Sequence, residues 1–272
     1  MRTSAKILGI GIVLALVATS LVWYAAIRAD HRGTLAVTFL SVGQGDAIFV
    51  TAPSGRTILI DGGPDNEVLR QLGNATPFYD RSLDIVIATA PEAQKVGGLA
   101  SVLARFQVGA VVRSAAHSSI PQEAAFDAAV ANAQQSGSRL VVAQRGETVD
   151  LGDGAYIETL FPDRDASNFA PSDGCLVLKV IFGSTSFLFA CGSSALEKYL
   201  ATLDGPKLQA NVLAATGDDS ELFAGFASPQ FAVMPCGASA ATSTFAKLQI
   251  QTFDTCNGAV TFLSDGQTVT RE

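Results

Sequence analysis

Histidine is almost missing from this chain of 272 residues, which holds only His31 and His117. A dinuclear metal centre built on imidazoles needs more histidines than two widely separated ones. His117 lies in a loop of serine and alanine, where we expect an ordinary solvated side chain. The serines Ser41, Ser193 and Ser194 therefore also lack the nearby histidine that a Ser-His-Asp triad requires.

Charged residues are scarce as well, at 16% of the chain, whereas 48% of the residues are hydrophobic. This composition excludes a disordered chain and is sufficient for a buried core. Residues 33–272 hold 14 Lys and Arg against 24 Asp and Glu, a net charge of −10, and no basic cluster. A nucleic-acid-binding surface is therefore not indicated, since acidic exported domains are usually just soluble.

The amino-terminal segment contains the one long apolar run, Ile7 to Ile27, which has 21 residues and no charge. As a helix it would be about 31 Å long, enough to cross a bilayer. We expect residues 1–32 to be a short cytoplasmic end and an uncleaved transmembrane signal anchor, and residues 33–272 to be an extracytoplasmic domain at the cell membrane. A cleaved signal peptide and a buried core helix are the alternatives.

The four cysteines are Cys175, Cys191, Cys236 and Cys256, and no C-x-x-C pair occurs among them. Zinc binding by cysteines normally uses closely spaced pairs, so the spacing of these four does not indicate a zinc site. An even count in an exported domain favours two disulfides, with three connectivities open, and free buried thiols are the alternative.

Hydrophobic patterning predicts an α/β fold in which antiparallel hairpins are mixed with strand–helix units, without strict βαβ alternation. The clearest predicted helix is Pro121–Gln135, which has proline near its start and glycine after its end. Two mixed sheets covered by helices suit this order better than one doubly wound sheet. The predicted strands are Leu35–Val42, Ala47–Thr51, Thr57–Ile60, Leu83–Ala88, Val108–Arg113, Arg139–Ala143, Tyr156–Phe161, Leu176–Phe182, Ser186–Ala190, Asn211–Ala215, Phe231–Pro235, Ile250–Phe253 and Ala259–Leu263.

Two segments are specific enough to suggest a family. The first, Val37–Ala52, contains Gly43-Gln44-Gly45-Asp46, and the second, Thr57–Pro64, contains Asp61-Gly62-Gly63. Together they closely resemble the start of the metallo-β-lactamase-like domain of ComEC-type competence proteins. The resemblance implies an αββα four-layer sandwich with two mixed sheets.

The ligands of that family do not carry over to this chain. The resemblance places the metal loop between Leu83–Ala88 and Gly97-Gly98, where the family has a His-x-(His or Asp)-x-Asp-His pattern. Four residues stand at those ligand positions here: Ala90, Glu92, Gln94 and Lys95. The family's bridging aspartate falls at about Gly192. Lys95 adds a cation where the family holds a metal ion, and charge repulsion opposes metal binding.

Two features of the sequence could replace the family's dinuclear metal centre. Asp46, Asp61 and Glu92, with Asp218 and Asp219, could form an oxygen site for a divalent metal. The alternative is that Asp46 and Asp61 cap backbone amides while Glu92 pairs with Lys95.

A disulfide is the second substitute. By the resemblance, Cys191 and Cys236 end two strands at the same rim. A disulfide between them would tie the two halves together in place of the metal.

The sequence thus predicts a membrane-anchored pseudoenzyme without a cofactor, which acts as a structural or partner-binding module. A link to competence or DNA uptake rests on the resemblance alone. A metallo-hydrolase with a rebuilt oxygen-ligand site is one rival. A binder of small molecules or peptides in the vacated pocket is the other, and the fold alone does not decide between them.

Overall fold

Short runs of β-branched and aromatic residues, separated by glycine-containing turns, form two mixed β-sheets. The computed structural model describes residues 15–17, 19–20, 33–77, 80–216, 219–238 and 242–272. Residues 15–17 and 19–20 are helical, and Gly33–Glu272 forms one compact unit. No helix within the described residues has the length and apolar character to cross a membrane. Most of the predicted anchor, Ile7 to Ile27, lies outside these residues.

The first sheet has eight strands: β1 (Leu35–Phe39), β2 (Ile48–Thr51), β3 (Thr57–Ile60), β4 (Ser82–Ala88), β5 (Gln107–Arg113), β6 (Arg139–Val142), β14 (Val260–Ser264) and β15 (Val269–Arg271). Their order in the sheet is β15-β14-β1-β2-β3-β4-β5-β6. Strands β3 to β6 run parallel, and the other neighbours are antiparallel.

The second sheet has seven strands: β7 (Thr148–Gly152), β8 (Ala155–Phe161), β9 (Val177–Phe182), β10 (Thr185–Phe189), β11 (Val212–Ala214), β12 (Phe231–Met234) and β13 (Gln251–Asp254). Their order in the sheet is β13-β12-β11-β10-β9-β8-β7. Strands β7 to β10 are antiparallel, and β10 to β13 are parallel.

Helices cover the outer face of each sheet. Buried residues fall into three clusters, one between the sheets and one under each helical layer, so the domain has the four layers αββα. The helices are α1 (Glu67–Ala75), α2 (Ala93–Val96), α3 (Leu99–Leu103) and α4 (Pro121–Gln135) on the first sheet, and α5 (Ser194–Asp204), α6 (Glu221–Ala227) and α7 (Thr242–Lys247) on the second.

The predicted α/β fold with two mixed sheets is confirmed, and its differences from the sequence-based elements are local. Strand β7 and the short helices α2 and α7 were not predicted, because their few residues carry no clear periodicity. The N-cap residue of α5 is Ser193, whose hydroxyl accepts from the Leu196 amide at 3.4 Å.

The predicted disulfide between Cys191 and Cys236 is wrong. Cys175 pairs with Cys191, and Cys236 pairs with Cys256. The first two cysteines flank the antiparallel hairpin β9–β10, which brings them together. The second two follow the ends of β12 and β13, and parallel pairing of these strands places Met234 beside Asp254. Each disulfide therefore joins neighbouring strands within the second sheet instead of tying the two halves of the sandwich.

Candidate functional site

Three loops meet at the carboxyl ends of β3 and β4, the edge where α/β folds usually hold ligands. The first loop, residues 43–46, lies between β1 and β2. The second loop, residues 61–63, follows β3. The third loop, residues 90–98, follows β4 and includes α2. The structure thus places these three loops, which the resemblance assigned to one site, beside one another, whereas Asp218 of the predicted oxygen site lies outside the described residues.

Backbone hydrogen bonds hold the three loops against one another. The Asp46 amide donates to the Gln94 carbonyl at 3.2 Å, and the Gly62 amide donates to the Lys95 carbonyl at 2.7 Å. The Gly63 amide donates to the Asp46 carbonyl at 2.8 Å. Each loop is therefore positioned by the other two, which fixes the directions of their side chains.

Two glycines permit this close approach. A Cβ atom on Gly45 would lie 2.4 Å from the Gln94 carbonyl oxygen, and one on Gly62 would lie 2.6 Å from the Leu99 side chain. A contact with backbone at that distance cannot be accommodated without movement of the loop. The retained glycines thus serve the packing of the loops, whatever chemistry the site performs.

The Lys95 side chain reaches into the centre of this arrangement. Its Nζ donates to Asp46 Oδ2 at 2.8 Å and lies 3.3 Å from Asp61 Oδ2. Lys95 is 9% exposed and Asp61 is 1% exposed, so both charges are largely removed from water. A buried carboxylate is costly unless it is paired and hydrogen-bonded, and the ammonium supplies that pairing here.

Asp61 has further partners on Thr89, the first residue after β4. The Thr89 amide donates to Oδ1 at 2.7 Å, and the Thr89 hydroxyl donates to Oδ2 at 2.6 Å. Asp61 itself has a φ of 58°, in the left-handed region that non-glycine residues seldom adopt. These hydrogen bonds and the ion pair with Lys95 hold the carboxylate in place despite that backbone conformation.

The charges of the site shift one another's pKa values. Burial disfavours the charged form of Lys95, but the negative charges of Asp46 and Asp61, the hydrogen bond to Asp46 and the charge of Glu92 outweigh it and raise the pKa of the ammonium. Burial raises the pKa of Asp61, while Lys95 and the bonds from Thr89 lower it in part. A lysine whose pKa is raised stays protonated and cannot serve as a base or nucleophile at neutral pH.

The remaining residues at the former ligand positions make no hydrogen bond or ion pair with the Lys95 ammonium in the described structure. Ala90 is buried against the second helical layer, and Gln94 is exposed. Glu92 is half-buried and precedes α2, and burial raises the pKa of its carboxyl. Gly192 has a φ of 89° and directly follows the Cys175–Cys191 disulfide.

A divalent metal does not fit on Asp46, Asp61 and Glu92 while the Lys95 ammonium binds two of these three carboxylates. Within the part of the chain that the structure describes, the only histidine, cysteine and carboxylate group whose ligand atoms lie within 4.8 Å of one another is His117 with Glu123 and Asp127. The carboxylates of the three loops form no such group, and a protonated amine already binds two of them. Lys95 therefore contacts two of the carboxylates that a metal ion would need, and its positive charge would repel that ion.

The His117 group is also unsuited to a metal. The guanidinium of Arg113 donates to Asp127 and, at 2.8 Å, to Glu123, and it lies 3.4 Å from His117 Nδ1. A permanent cation already occupies the space between these ligands. His117 is exposed and 3.2 Å from Glu123, as expected for a histidine on the surface of the domain.

One small cavity lies beside the site among the described residues. It borders Asp46, Met234 and Thr255 and has a volume of about 20 Å³. That is room for about one water molecule, well below the several hundred Å³ of ligand pockets.

Comparison with known proteins relates the fold, though not the sequence, to characterised structures. No family model matches the chain, and no curated protein is significantly similar to it. Among solved structures, the metallo-β-lactamase fold protein YhfI from Bacillus subtilis superposes with a TM-score of 0.61 at 12% identity, covering 85% of this chain and 99% of its own.

This chain has the metallo-β-lactamase fold. Igni18, a metallo hydrolase from the archaeon Ignicoccus hospitalis, is also similar, with a TM-score of 0.54 at 13% identity over 84% of this chain and 98% of its own. At such low sequence identities the similarity concerns the fold alone. The chain is thus structurally similar to metal-dependent hydrolases, and the chemistry of its site has to be inferred from the residues that form it.

The contact of Lys95 with Asp46 and Asp61 is the feature that sequence inspection missed. Pairing of Lys95 with Glu92, three residues away, was one of the alternatives, and no hydrogen bond or ion pair between them is found in the described structure. The resemblance did contain a sign of this contact, because Asp46 and Asp61 both belong to motifs at the same rim as the third loop. A lysine ammonium at that rim is expected to pair with the carboxylates retained there.

Proposed function

We propose that this protein is a non-catalytic module with the metallo-β-lactamase fold, in which the Lys95 ammonium takes the electrostatic place of the metal. The observation that carries the proposal is the contact of Nζ with Asp46 at 2.8 Å and with Asp61 at 3.3 Å, inside the buried site. The retained carboxylates then stabilise the loops through an internal ion pair. Their role is structural.

The biological setting is part of the same proposal. Two disulfides support an extracytoplasmic location, because such bonds persist in oxidising compartments. The uncharged run from Ile7 to Ile27 supports a single-pass membrane anchor. The resemblance of Val37–Ala52 and Thr57–Pro64 to ComEC-type proteins supports a role beside a competence or DNA-uptake apparatus, in which the module binds a protein partner.

Metal analysis combined with activity assays tests this proposal. The purified 272-residue chain is incubated with Zn²⁺, Mn²⁺ or Mg²⁺, desalted and measured by ICP-MS, and it is assayed for phosphodiesterase and nuclease turnover. We expect substoichiometric metal and no turnover. Stoichiometric metal together with turnover that Asp61→Asn abolishes, and that the remote exposed control Glu221→Gln preserves, would establish a metallo-hydrolase instead.

A further inference from the structure

A deep cleft opens between the two sheets at the edge formed by β6 and β7, away from the loops of the candidate site. Its volume is about 660 Å³, within the range of ligand-binding pockets. Its apolar lining continues the layer between the sheets and includes Ile87, Val112, Val141, Ile157 and Leu178. Five charged residues also line it: Arg56, Asp84, Arg139, Glu147 and Asp150.

Strand β6 is the edge of the first sheet and pairs only with β5 among the described strands. Just beyond β6, the Ala143 amide donates to the Arg113 carbonyl on β5. Backbone groups of alternate residues point to opposite sides of a strand, so those of Leu140 and Val142 point away from β5. These two residues offer donors and acceptors to an additional strand.

The side chains of this edge are unusually apolar for a solvent-facing strand. Leu140, Val141 and Val142 are 37%, 40% and 46% exposed. Unprotected edge strands of this kind are templates for pairing with another chain. Val141 also lines the cleft, so a strand added beside it would place every second side chain over the cleft.

The two ends of the open edge carry opposite charges. Arg139 begins β6, and Glu147 lies beyond its other end, where its amide donates to the Gln144 carbonyl. Both line the cleft, and within the described residues neither side chain makes a hydrogen bond or ion pair. An antiparallel strand would meet Glu147 near its own start and Arg139 near its own end.

We propose that this edge binds an extended segment of a partner protein, which adds to β6 as an antiparallel strand. Its alternate side chains are large and apolar and enter the cleft, and its backbone bonds to Leu140 and Val142. It carries a basic residue at its start and an acidic residue at its end. This inference rests on the proposed function, because it locates the partner of the non-catalytic module. Mixed rim charges and free backbone groups favour a peptide over a small apolar molecule.

Binding of a synthetic probe tests the proposal with the full chain. The probe is a fluorescent, end-capped peptide that alternates valine with threonine between a first lysine and a last glutamate, and its control has the two charges exchanged. Val142→Pro removes an amide that β5 does not use, so the sheet should persist. Val142→Thr is the matched control, because it keeps that amide, and Val141→Lys places a charge at the wall of the cleft.

We expect saturable binding that falls by about tenfold in Val142→Pro and in Val141→Lys and stays within about twofold in Val142→Thr. The charge-exchanged peptide should bind more weakly than the probe. No binding, or equal binding to Val142→Pro and Val142→Thr, would overturn strand addition. An apolar dye that occupies the cleft equally in both Val142 variants, and that the peptide does not displace, would indicate a small-molecule site instead. Metal content and turnover, measured separately, decide whether the proposed function itself fails.

Discussion

Replacement of Lys95 by methionine tests the physical basis of the site most sharply. Methionine keeps much of the length of the side chain but removes the ammonium, which leaves Asp61 as a buried carboxylate without its cation. Removing one partner of a buried ion pair typically costs about 3–5 kcal/mol. Thr89 still donates two hydrogen bonds to Asp61, and Asp46 is partly exposed, with 31% of its side chain accessible. We therefore expect the lower end, about 3 kcal/mol at pH 7.

Urea and thermal unfolding of both proteins measure this loss. For a domain of this size it corresponds to a decrease in Tm of about 6–12 °C. Without Lys95 the pKa of Asp61, which burial raises, rises further. A carboxyl whose pKa is higher in the folded state than in the unfolded state binds more protons when folded, so stability increases as the pH falls. The difference in stability between the parent and Lys95→Met should thus become smaller as the pH falls.

A second substitution provides the control. In the Lys95→Met background, Asp61→Asn removes the unpaired charge, and its amide oxygen can still accept from the Thr89 amide. We expect this change to restore most of the lost stability. A Lys95→Met variant as stable as the parent at pH 7, or one whose deficit does not change with pH, would refute the claim that the ammonium compensates buried charge.

Three further predictions concern pH, a second buried ion pair and the disulfides. The pKa of Lys95 is raised above its usual 10.5, so the stability that its charge contributes should be lost as the pH rises beyond 10.5. In denaturant titrations at alkaline pH, the free energy of unfolding should therefore fall more steeply with pH for the parent than for Lys95→Met. Arg145→Ala should lower the free energy of unfolding by about 3 kcal/mol, because it leaves the buried Asp204 carboxylate without the two hydrogen bonds from the guanidinium. Arg145→Lys keeps the charge but not the bidentate geometry, so it should lower the free energy of unfolding by less. Replacing both Cys175 and Cys191 by serine should cost about 3 kcal/mol, as expected for a closed loop of this length, and a parent as stable in reductant as without it would contradict this estimate.

Much of the fold was predictable because its signals are local. Strand β3 and helix α4 have the predicted bounds, since alternation, the proline at the start and the glycine at the end act within a few residues. The connectivity of the disulfides could be predicted only from the pairing of strands. Cys175 and Cys191 flank the predicted strands Leu176–Phe182 and Ser186–Ala190, which the structure pairs as an antiparallel hairpin. The parallel pairing of β12 with β13, which brings Cys236 to Cys256, depends on the whole second sheet.

The site was predictable in its composition but not in its contacts. The sequence shows that the third loop lacks histidine and contains Lys95. It does not show that three loops converge so closely that Nζ reaches carboxylates of both other loops, because this depends on tertiary packing at Gly45 and Gly62. The cleft at β6 was likewise invisible, since it arises from the separation of two sheets at one edge.

A calorimetric titration with Mn²⁺ tests the central claim, that an internal ammonium occupies the place of the metal. The parent protein should show no binding, whereas Lys95→Ala, which frees Asp46 and Asp61, should bind the ion measurably and gain thermal stability from it. Stoichiometric binding of Mn²⁺ by the parent that is lost in Asp61→Asn would contradict the account.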